Sequence, residues 1–413
     1  MTATKVRERE SIVRGPSGLV FVCAVLAAVL TGPGQTIGVS VFIDHFVEDL
    51  SLSRAQVSTA YLIGTLSGSV FLPAVGRFID RSGVRRAQLI IGILFAGALL
   101  NMSFVQGFVT LAIGFIGIRM LGQGALSLTS TVTVSLRFSE NRGTALGLFS
   151  MSTAGLMALV PIGLAVVINA FGWRQAWVVA AVIIAATVTP LAWFGLRSMP
   201  TTSQVKDDEE QADASGYTRA EALRTRGFWI LAAISSAAGM LSTALNFHQI
   251  DLLQRAGLTE TAAAGMFLPQ VLGSTVAALG FGMLADRLGT RYLPALSISL
   301  LALALVLASV AAPGLRAIVY AIVLGAAGGA VLTVAATLLP KWFGTSHLGS
   351  IQGTLTLINV GASATGPVTL ALLEGSIGSY PSAVIGLALI PLAATLFALL
   401  APFEPTQQLS EAR

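Results

Sequence analysis

The stretch "GRFIDRSGVRR", residues 76–86, reappears later in the chain as "GMLADRLGTRY", residues 282–292. Both copies carry a glycine, an Asp-Arg pair, a second glycine and an arginine at the same spacing, and each follows a long apolar run. We name them the first and the second signature loop. A polar loop that recurs in equivalent surroundings indicates that the chain contains two related halves.

Composition places the chain in a membrane. Hydrophobic residues make up 54% of the 413 positions and charged residues 10%, whereas soluble chains carry about 25% charged residues. Apolar runs of about 20 residues, enough for a helix to cross a hydrocarbon core of about 30 Å, recur along the whole length. They predict an all-α integral membrane protein whose twelve transmembrane spans, numbered 1 to 12, are 17–44, 54–78, 86–105, 108–136, 143–170, 174–196, 227–253, 259–285, 292–312, 315–339, 347–373 and 380–402.

The repeat extends beyond the signature loops. The two loops begin at residues 76 and 282, and other residues recur at the same offset of 206 positions. They are Gly143 with Gly349, Gly147 with Gly353, Gly155 with Gly361, Pro161 with Pro367, Gly172 with Gly378 and Tyr61 with Phe267. The economical interpretation is two six-helix halves. The predicted parts are an N-terminal tail (1–16), a first half (17–196), a linker (197–226), a second half (227–402) and a C-terminal tail (403–413).

The polar linker contains the acidic run "KDDEE" and, further on, a capping box at Thr218 and Glu221. A capping box satisfies two free N–H groups at the start of a helix. We therefore expect a short surface helix to begin at this point.

The distribution of basic residues predicts the orientation of the chain. Of the 24 Lys and Arg, 19 fall in the tails, the linker or the predicted inner loops; the other five are Arg54, Arg119, Arg174, Arg255 and Arg316. This asymmetry follows the positive-inside rule and predicts a multi-pass protein of the cell (inner or plasma) membrane with both termini and the linker in the cytoplasm. The excess of positive charge therefore reflects topology and not a nucleic-acid partner.

The first signature loop has the pattern G-x-x-x-D-R-x-G-x-R-R, and the second has nearly the same pattern. It resembles the signature loop of the major facilitator superfamily, which implies a fold of two six-helix repeats that work by alternating access. The stretches "GPGQT" (32–36), "SRAQVSTAYLIGT" (53–65) and "RGFWILAA" (226–233) are similar to the branch of monocarboxylate porters and oxalate/formate exchangers. The cationic residues of that branch in spans 1, 8 and 11 are missing here, so oxalate or lactate does not transfer directly as the substrate.

The signature loops supply the predicted gating residues. Their first glycines permit close helix contact, and their aspartates can accept hydrogen bonds from neighbouring helix ends. The resemblance implies that Asp80 helps to hold the two halves together when the cavity faces outward; the alternative is that the loop arginines only anchor topology. The predicted gating set is Gly76, Asp80, Arg81, Arg85, Asp286, Arg287, Arg291 and, near the outer end of span 7, His248, which could instead be structural.

Polar residues at helical spacing indicate which side chains line a central cavity. In span 4, Arg119, Gln123, Ser127 and Ser130 form one stripe in an ideal α-helix. Asn246 is the favoured cavity residue of span 7, and the repeat mates Tyr61 and Phe267 are either an aromatic pair around the substrate or ordinary packing. The predicted substrate-binding set is Arg119, Gln123, Gln35, Tyr61, Asn246, Phe267, Gln270 and Asn359.

Arg119 is the most informative of these residues. An arginine at the centre of a span costs about 2.5 to 3.5 kcal/mol on insertion scales, and no Asp or Glu falls in the central third of any predicted span. A carboxylate from the substrate would match its planar guanidinium. Two alternatives remain: a structural tie to backbone carbonyls, and the coupling role that the resemblance implies for an arginine before a G-Q-G turn in span 4.

These observations predict a secondary active transporter of a small organic anion, in particular a monocarboxylate, by proton symport or anion exchange. The alternative is a broad-specificity drug or metabolite exporter in which Arg119 is structural; a third hypothesis is a membrane sensor or intramembrane enzyme on the same scaffold. P-loop and H-E-x-x-H motifs are missing from the sequence, so ATP-driven transport and zinc hydrolysis are not expected. With transport as the leading hypothesis, we expect the protein not to be an enzyme. The expected partners are the small-molecule substrate and the lipid bilayer, with no cofactor, metal or nucleic acid, and a monomeric chain.

Overall fold

The fold is a bundle of long helices. The computed structural model describes residues 15–138, 141–197, 199, 216–287, 291–344 and 347–400, and for residues 15, 16, 286 and 287 it describes the backbone alone. Spans 1 to 6 are formed by Gly15–Val29, Thr36–Val39 and Ile43–Asp49 (span 1), Arg54–Met102 (spans 2 and 3), Phe108–Ile118, Arg119–Leu126 and Ser127–Arg137 (span 4), Arg142–Met157 and Val160–Phe171 (span 5), and Trp173–Pro190 and Leu191–Gly195 (span 6).

The later spans follow the same plan. They are formed by Arg226–Arg255 (span 7), Glu260–Gly265 and Phe267–Arg287 (span 8), Leu293–Ser309 (span 9), Leu315–Phe343 (span 10), Leu348–Ile377 (span 11), and Tyr380–Leu387 and Leu389–Leu400 (span 12). Ten helices of the described part are long and apolar enough to cross a membrane, and the 17-residue Leu293–Ser309 is a shorter apolar helix. One of the ten contains both span 2 and span 3, so the all-α prediction with twelve spans is confirmed.

Spans 2 and 3 run through the first signature loop as one helical rod of 49 residues. Its continuity is broken at Gly83, whose φ of 74° and ψ of 154° are not helical. This region of backbone space is open to glycine and costly for residues with a Cβ. The second glycine of the signature loop therefore turns the chain back into the membrane.

Span 1 is interrupted in its middle. Gly32–Gly34, the "GPG" of the sequence, forms a short 3-10 turn between two α-helical pieces. A Cβ at Gly34 would lie 2.7 Å from the carbonyl oxygen of Ile118, so only glycine lets span 1 approach span 4 this closely. The break brings a backbone carbonyl of span 1 against the start of the next irregular segment, in span 4.

Span 4 changes its winding at the residue that the sequence singled out. Arg119–Leu126 is a π-helical segment between two α-helical pieces. A π segment is wider than an α-helix and occurs frequently at functional sites. It also shifts the direction of every side chain that follows, so the straight polar stripe expected from α-helical spacing is not formed.

Glycines bring spans 8 and 10 into backbone contact. A Cβ built on Gly325 or Gly329 would overlap the carbonyl of Gln270 or Ser274, and one on Gly273 would overlap Ile322. Small residues permit this packing in membranes. In the first half, Gly64 and Gly68, whose G-x-x-x-G spacing predicts helix packing, lie close to Phe115 and Met120 of span 4, which confirms the prediction for this pair.

The same G-x-x-x-G spacing predicts packing for two other glycine pairs, and for them the prediction is wrong in this conformation. Around Gly143, Gly147, Gly349 and Gly353, an added Cβ would meet none of the described atoms within 4 Å. These glycines lie on spans 5 and 11, at the end of the bundle where the signature loops lie. We name this end of the bundle the signature end; at these four positions it has space for an added side-chain carbon.

The last part of the linker docks on span 10. The expected capping box is confirmed: Glu221 N donates to Thr218 Oγ1 at 3.3 Å, Thr218 N donates to the Glu221 carboxylate at 2.8 Å, and the helix is Arg219–Ala222. These bonds hold the pKa of Glu221 below its usual value. Tyr217 N donates to Phe343 O at 2.8 Å, which ties the linker to the second half; the acidic run lies outside the described residues.

Candidate functional site

A cavity of about 290 Å³ lies between the two halves. Its walls differ in chemistry: the first half supplies only apolar side chains, and the second half supplies all the polar ones. The first-half wall is Ile37, Ala154, Met157 and Ala158, and the second-half wall is Ser242, Asn246, Phe267, Gln270, Val271, Ser274, Leu324, Gly325 and Gly328. No charged side chain occurs among these lining residues.

An amide pair forms the polar part of the second-half wall. Gln270 Nε2 of span 8 donates to Asn246 Oδ1 of span 7 at 2.8 Å. The other amide oxygen, Gln270 Oε1, is buried and has no hydrogen-bond partner among the described residues, and the same holds for Ser242 Oγ. The structure thus brings together three residues of the predicted substrate set, Asn246, Phe267 and Gln270.

Arg119 is buried deeper in the first half, outside the lining of this cavity. Its Nε donates to Thr65 Oγ1 at 3.0 Å, its Nη1 donates to Gly34 O at 3.2 Å, and its guanidinium carbon lies 4.5 Å from the ring centre of Tyr61. Only 4% of the residue is exposed. Among the described residues, no carboxylate lies within ion-pair distance of Arg119.

Tyr61 covers Arg119 and touches the second half. Its hydroxyl lies 2.6 Å from Thr36 Oγ1, and its ring centre lies 4.6 Å from that of Phe247 in span 7. Tyr61 is fully buried and does not line the cavity, whereas Phe267 does. The two repeat mates are therefore not a pair around one cavity in this conformation.

The remaining amides of the predicted substrate set lie elsewhere. Gln35 Nε2 donates to Thr31 Oγ1 at 3.0 Å and to Ser127 Oγ at 3.3 Å, which joins spans 1 and 4. Gln123 is exposed on the π segment of span 4. Asn359 lines a second cavity of about 220 Å³ between spans 7, 10 and 11, together with Ser235, Gln352 and Thr356. Ser130 of the expected stripe is buried and donates to Leu126 O of its own helix.

Five charged residues form a chain of ion pairs at the end of the bundle opposite the signature loops. Arg54 lies 2.6 Å from Asp44 and 2.8 Å from Asp251, and Arg255 lies 3.0 Å from both Asp251 and Glu374. We name this chain the ionic ladder and this end the ladder end. Because Asp44 and Arg54 belong to the first half and the other three to the second, the ladder fastens the halves together.

The sequence carried only a weak signal for the ladder. Arg54 and Arg255 stand out as exceptions to the basic-residue asymmetry, and three acidic residues lie near the same ends of spans 1, 7 and 11. Spacing along one helix cannot show that Arg54 of span 2 meets Asp251 of span 7. The pairing depends on how the two halves are docked.

His248 makes its described bonds inside the second half. Its Nε2 lies 3.0 Å from Pro367 O of span 11, and its Nδ1 lies 3.2 Å from the Tyr380 hydroxyl of span 12. It is fully buried among these helices. Its geometry is that of the structural alternative, because it ties spans 7, 11 and 12 and does not bridge the halves.

Among the described residues, no hydrogen bond or ion pair joins the two signature loops in this conformation. Asp80 and Arg81 are exposed, and an added Cβ at Gly76 would meet no described atom within 4 Å. Arg85 donates to Trp193 O at 2.9 Å, within the first half. Of the second loop, exposed Arg291 lies over the Tyr292 ring at 5.2 Å. The side chains of Asp286 and Arg287 lie outside the described residues.

The fold and its central cavity define a class. Two sets of six membrane helices that enclose a cavity at their interface are the architecture of secondary transporters, in which one half moves against the other. The chain belongs to the Major Facilitator Superfamily: the family model of that description matches residues 21–278. It is therefore a multi-pass membrane protein of a transporter family.

Known proteins agree on the fold. Among curated proteins, the "Uncharacterized MFS-type transporter YcxA" of Bacillus subtilis is 27% identical over 258 residues, which is 60% of this chain and 59% of that protein. The alignment thus spans less than two thirds of the relative. A bacterial homolog of the human lysosomal transporter Spinster, solved inward-facing and unoccupied, has a TM-score of 0.76 at 16% identity and covers 95% of this chain and 99% of its own. The nucleoside transporter NupG has a TM-score of 0.73 at 13% identity and covers 92% of this chain and 98% of its own.

Proposed function

We propose that the protein carries a small organic anion, in particular a monocarboxylate, across the cell membrane by alternating access, and that Arg119 pairs with the substrate carboxylate. One observation carries this proposal: a guanidinium is buried among apolar helices with no acidic partner among the described residues. A buried charge needs compensation. The bonds to Thr65 and Gly34 satisfy only part of a group that has five N–H donors.

The ladder end faces outward in this proposal, and the signature end faces the cytoplasm. The positive-inside asymmetry supports this orientation. Both termini and the linker are then cytoplasmic. The ionic ladder closes the outer side, and the free glycines of spans 5 and 11 mark the open inner side.

Tyr61 explains how an anion reaches Arg119 from the central cavity. It lies over the guanidinium and packs against Phe247 of the other half. When the ladder end opens, the two halves separate there and the Tyr61–Phe247 contact is lost. Arg119 then gains access to the cavity, where its charge-assisted hydrogen bonds favour a carboxylate over a neutral group.

Ligand-induced thermal stabilisation tests the role of Arg119, because a ligand that binds the folded state raises its stability by mass action. We expect a panel of small carboxylates to stabilise the wild-type protein in detergent and Arg119→Gln to lose this effect. Arg119→Lys should express well but lose most transport into proteoliposomes, since Lys keeps the charge without the planar fork.

The control is Arg316→Gln, which removes an exposed arginine in the first turn of span 10. It should keep both the stabilisation and the transport. Retention of near-normal carboxylate affinity in Arg119→Gln would contradict the anion proposal.

One observation favours a second candidate, an exporter of uncharged apolar compounds. The lining of the central cavity contains no charged side chain, and its first-half wall is entirely apolar. If this candidate is right, neutral apolar compounds stabilise the protein while carboxylates do not, and Arg119→Gln leaves their binding unchanged.

A further inference from the structure

We infer that the second-half wall of the central cavity recognises a hydrogen-bond donor on the substrate, so that the preferred substrates are hydroxylated or N–H-bearing organic acids and not plain alkyl acids. The recognising residues are Ser242, Asn246 and Gln270, and the inference rests on the function proposed above. It assigns to these three residues the selection among acids, as distinct from the binding of the carboxylate by Arg119.

The amide pair offers a fixed pattern to a ligand. Because Gln270 Nε2 donates to Asn246 Oδ1, the Gln270 oxygen and the Asn246 NH₂ group are left for other partners. If both side-chain amides are rotated by about 180°, Asn246 donates to Gln270 instead, and the pair still presents one acceptor and one donor to a ligand. A ligand hydroxyl can donate to the first and accept from the second, whereas a methyl group can do neither.

Two unpaired acceptors lie on the same wall. Gln270 Oε1 and Ser242 Oγ are buried, and neither has a hydrogen-bond partner among the described residues. Ser242 lies one helical turn from Asn246 on span 7, so both face the same side. A buried acceptor left unpaired is unfavourable, and a ligand donor that pairs with it is expected to gain about tenfold in affinity.

The opposite wall orients the ligand. Ile37, Ala154 and Met157 of the first half offer hydrocarbon and no polar side chain. A ligand with an apolar body and a polar substituent therefore places the body against the first half and the substituent against the amide pair. Since the two walls belong to different halves, such a ligand contacts both at once.

The chain offers a matched control for the amide pair. Gln249 also lies on span 7, is fully buried, and has both side-chain polar atoms without a partner among the described residues. It is not part of the cavity lining. A variant at Gln249 thus removes a comparable buried amide without touching the ligand.

The test compares ligands that differ by one hydroxyl. The carboxylate pairs are lactate with propanoate, 4-hydroxybutanoate with butanoate, and 6-hydroxyhexanoate with hexanoate; the uncharged pair is hexane-1,6-diol with hexan-1-ol. Dissociation constants come from thermal-shift titrations of the full-length protein. The variants are Gln270→Met, Ser242→Ala and, as the control, Gln249→Met; Ser242→Ala removes a single oxygen and guards against misfolding of the amide variant.

We expect at least one hydroxylated ligand to bind wild type and Gln249→Met about tenfold more tightly than its partner, and Gln270→Met or Ser242→Ala to bind both members alike. Equal binding within every pair in the wild type, including no stabilisation by any compound, overturns the inference. Discrimination that survives in both Gln270→Met and Ser242→Ala also overturns it.

The charged and uncharged ligands separate this inference from the proposed function. If only the diol shows discrimination and no carboxylate binds, the amide wall selects donors as inferred and the anion proposal fails. If carboxylates bind through Arg119 but the hydroxyl makes no difference, the anion proposal stands and the inference fails.

Discussion

Arg119 and Gly325 occupy equivalent positions in the two halves of the repeat, but they have opposite effects on the spacing of the helices around them. Arg119 fills the space between spans 1, 2 and 4 with a cation that bonds Thr65 and Gly34. Gly325 leaves no space at all, because span 8 presses its backbone against span 10 there. The repeat therefore keeps the helices, while one half holds the candidate anion site and the other a close helix contact that fixes the backbone of Gln270.

At the residue scale, Gly325→Ala should destabilise the protein. The added Cβ would overlap the carbonyl of Gln270, and both partners are helical backbone that cannot move aside. Overpacking of this kind costs about 1 to 3 kcal/mol. Thermal unfolding in detergent measures the loss. Gly328→Ala on the same helix is the control, since its Cβ would meet no described atom within 4 Å; equal melting temperatures for the two variants would contradict the packing argument.

In the proposed transport cycle, the conformational change moves whole helices of one half against those of the other. The ionic ladder connects spans 1 and 2 to spans 7 and 11, so it forms in the present conformation and must break when the ladder end opens. Four of its members are partly buried, with the Arg54 side chain 15% exposed, whereas the Arg255 side chain is 49% exposed. Exposed ion pairs contribute about 0 to 1 kcal/mol, and in buried pairs the cost of desolvation offsets much of the stronger attraction. That size suits a contact that opens in every cycle.

Removing the centre of the ladder should shift the conformational equilibrium. We expect Arg54→Gln to increase the population with an open ladder end by about tenfold, which corresponds to about 1.4 kcal/mol. Distances between spin labels on the ladder ends of spans 1 and 7, in a Cys23→Ala background, report the populations.

The matched control for the ladder is Arg174→Gln. Arg174 lies 3.7 Å from Asp49, and both belong to the first half, so this pair does not join the halves. It should leave the distance distribution unchanged. An identical distribution in Arg54→Gln and wild type would show that the ladder does not set the equilibrium.

The two ends of the molecule differ in their packing. The ladder and the Tyr61–Phe247 contact join the halves at one end, while at the other an added Cβ on Gly143, Gly147, Gly349 or Gly353 would meet no described atom within 4 Å. Small residues at helix surfaces permit close approach. These glycines are therefore suited to the alternative conformation, in which the signature end closes.

A bulky residue at the signature end should trap the molecule in its present conformation. A Cβ at Gly147 would meet no described atom within 4 Å, so we expect Gly147→Leu to be tolerated here but to obstruct closure of the signature end. We expect normal expression and melting temperature together with loss of most transport. Gly97→Leu is the control, because Gly97 is exposed on span 3 and an added Cβ meets no described atom. Wild-type transport in Gly147→Leu would remove the closure role.

Orientation of the whole chain is a separate prediction, which rests on the asymmetry of basic residues. In the Cys23→Ala background, single cysteines at positions 206 and 413 should react with a membrane-impermeant thiol reagent only from the cytoplasmic side. A cysteine at position 314 should react only from outside. Labelling of position 206 from the exterior would reverse the proposed orientation, so that the ladder end would face the cytoplasm.

The sequence by itself determined the all-helical membrane class and the spans, and the resemblance of its repeated loop to a known signature predicted the superfamily. Apolar runs and a loop pattern are local features, so they need no knowledge of docking. Local rules also predicted the capping box at Thr218 and Glu221, because a cap depends on residues three apart. Periodicity selected Asn246 and Gln270 as cavity residues, and the structure places both in the cavity lining, since spans 7 and 8 are regular helices there.

Only the tertiary structure decided which side chains meet across helices. The π segment after Arg119 redirected the expected stripe of span 4, and α-helical spacing could not anticipate it. The bonds that hold Arg119, the placement of Tyr61 away from the cavity, and the contact of Arg54 with Asp251 depend on how helices of both halves pack together. Such contacts join residues far apart in the chain. They depend on how the halves dock and produce no periodic pattern in a single sequence.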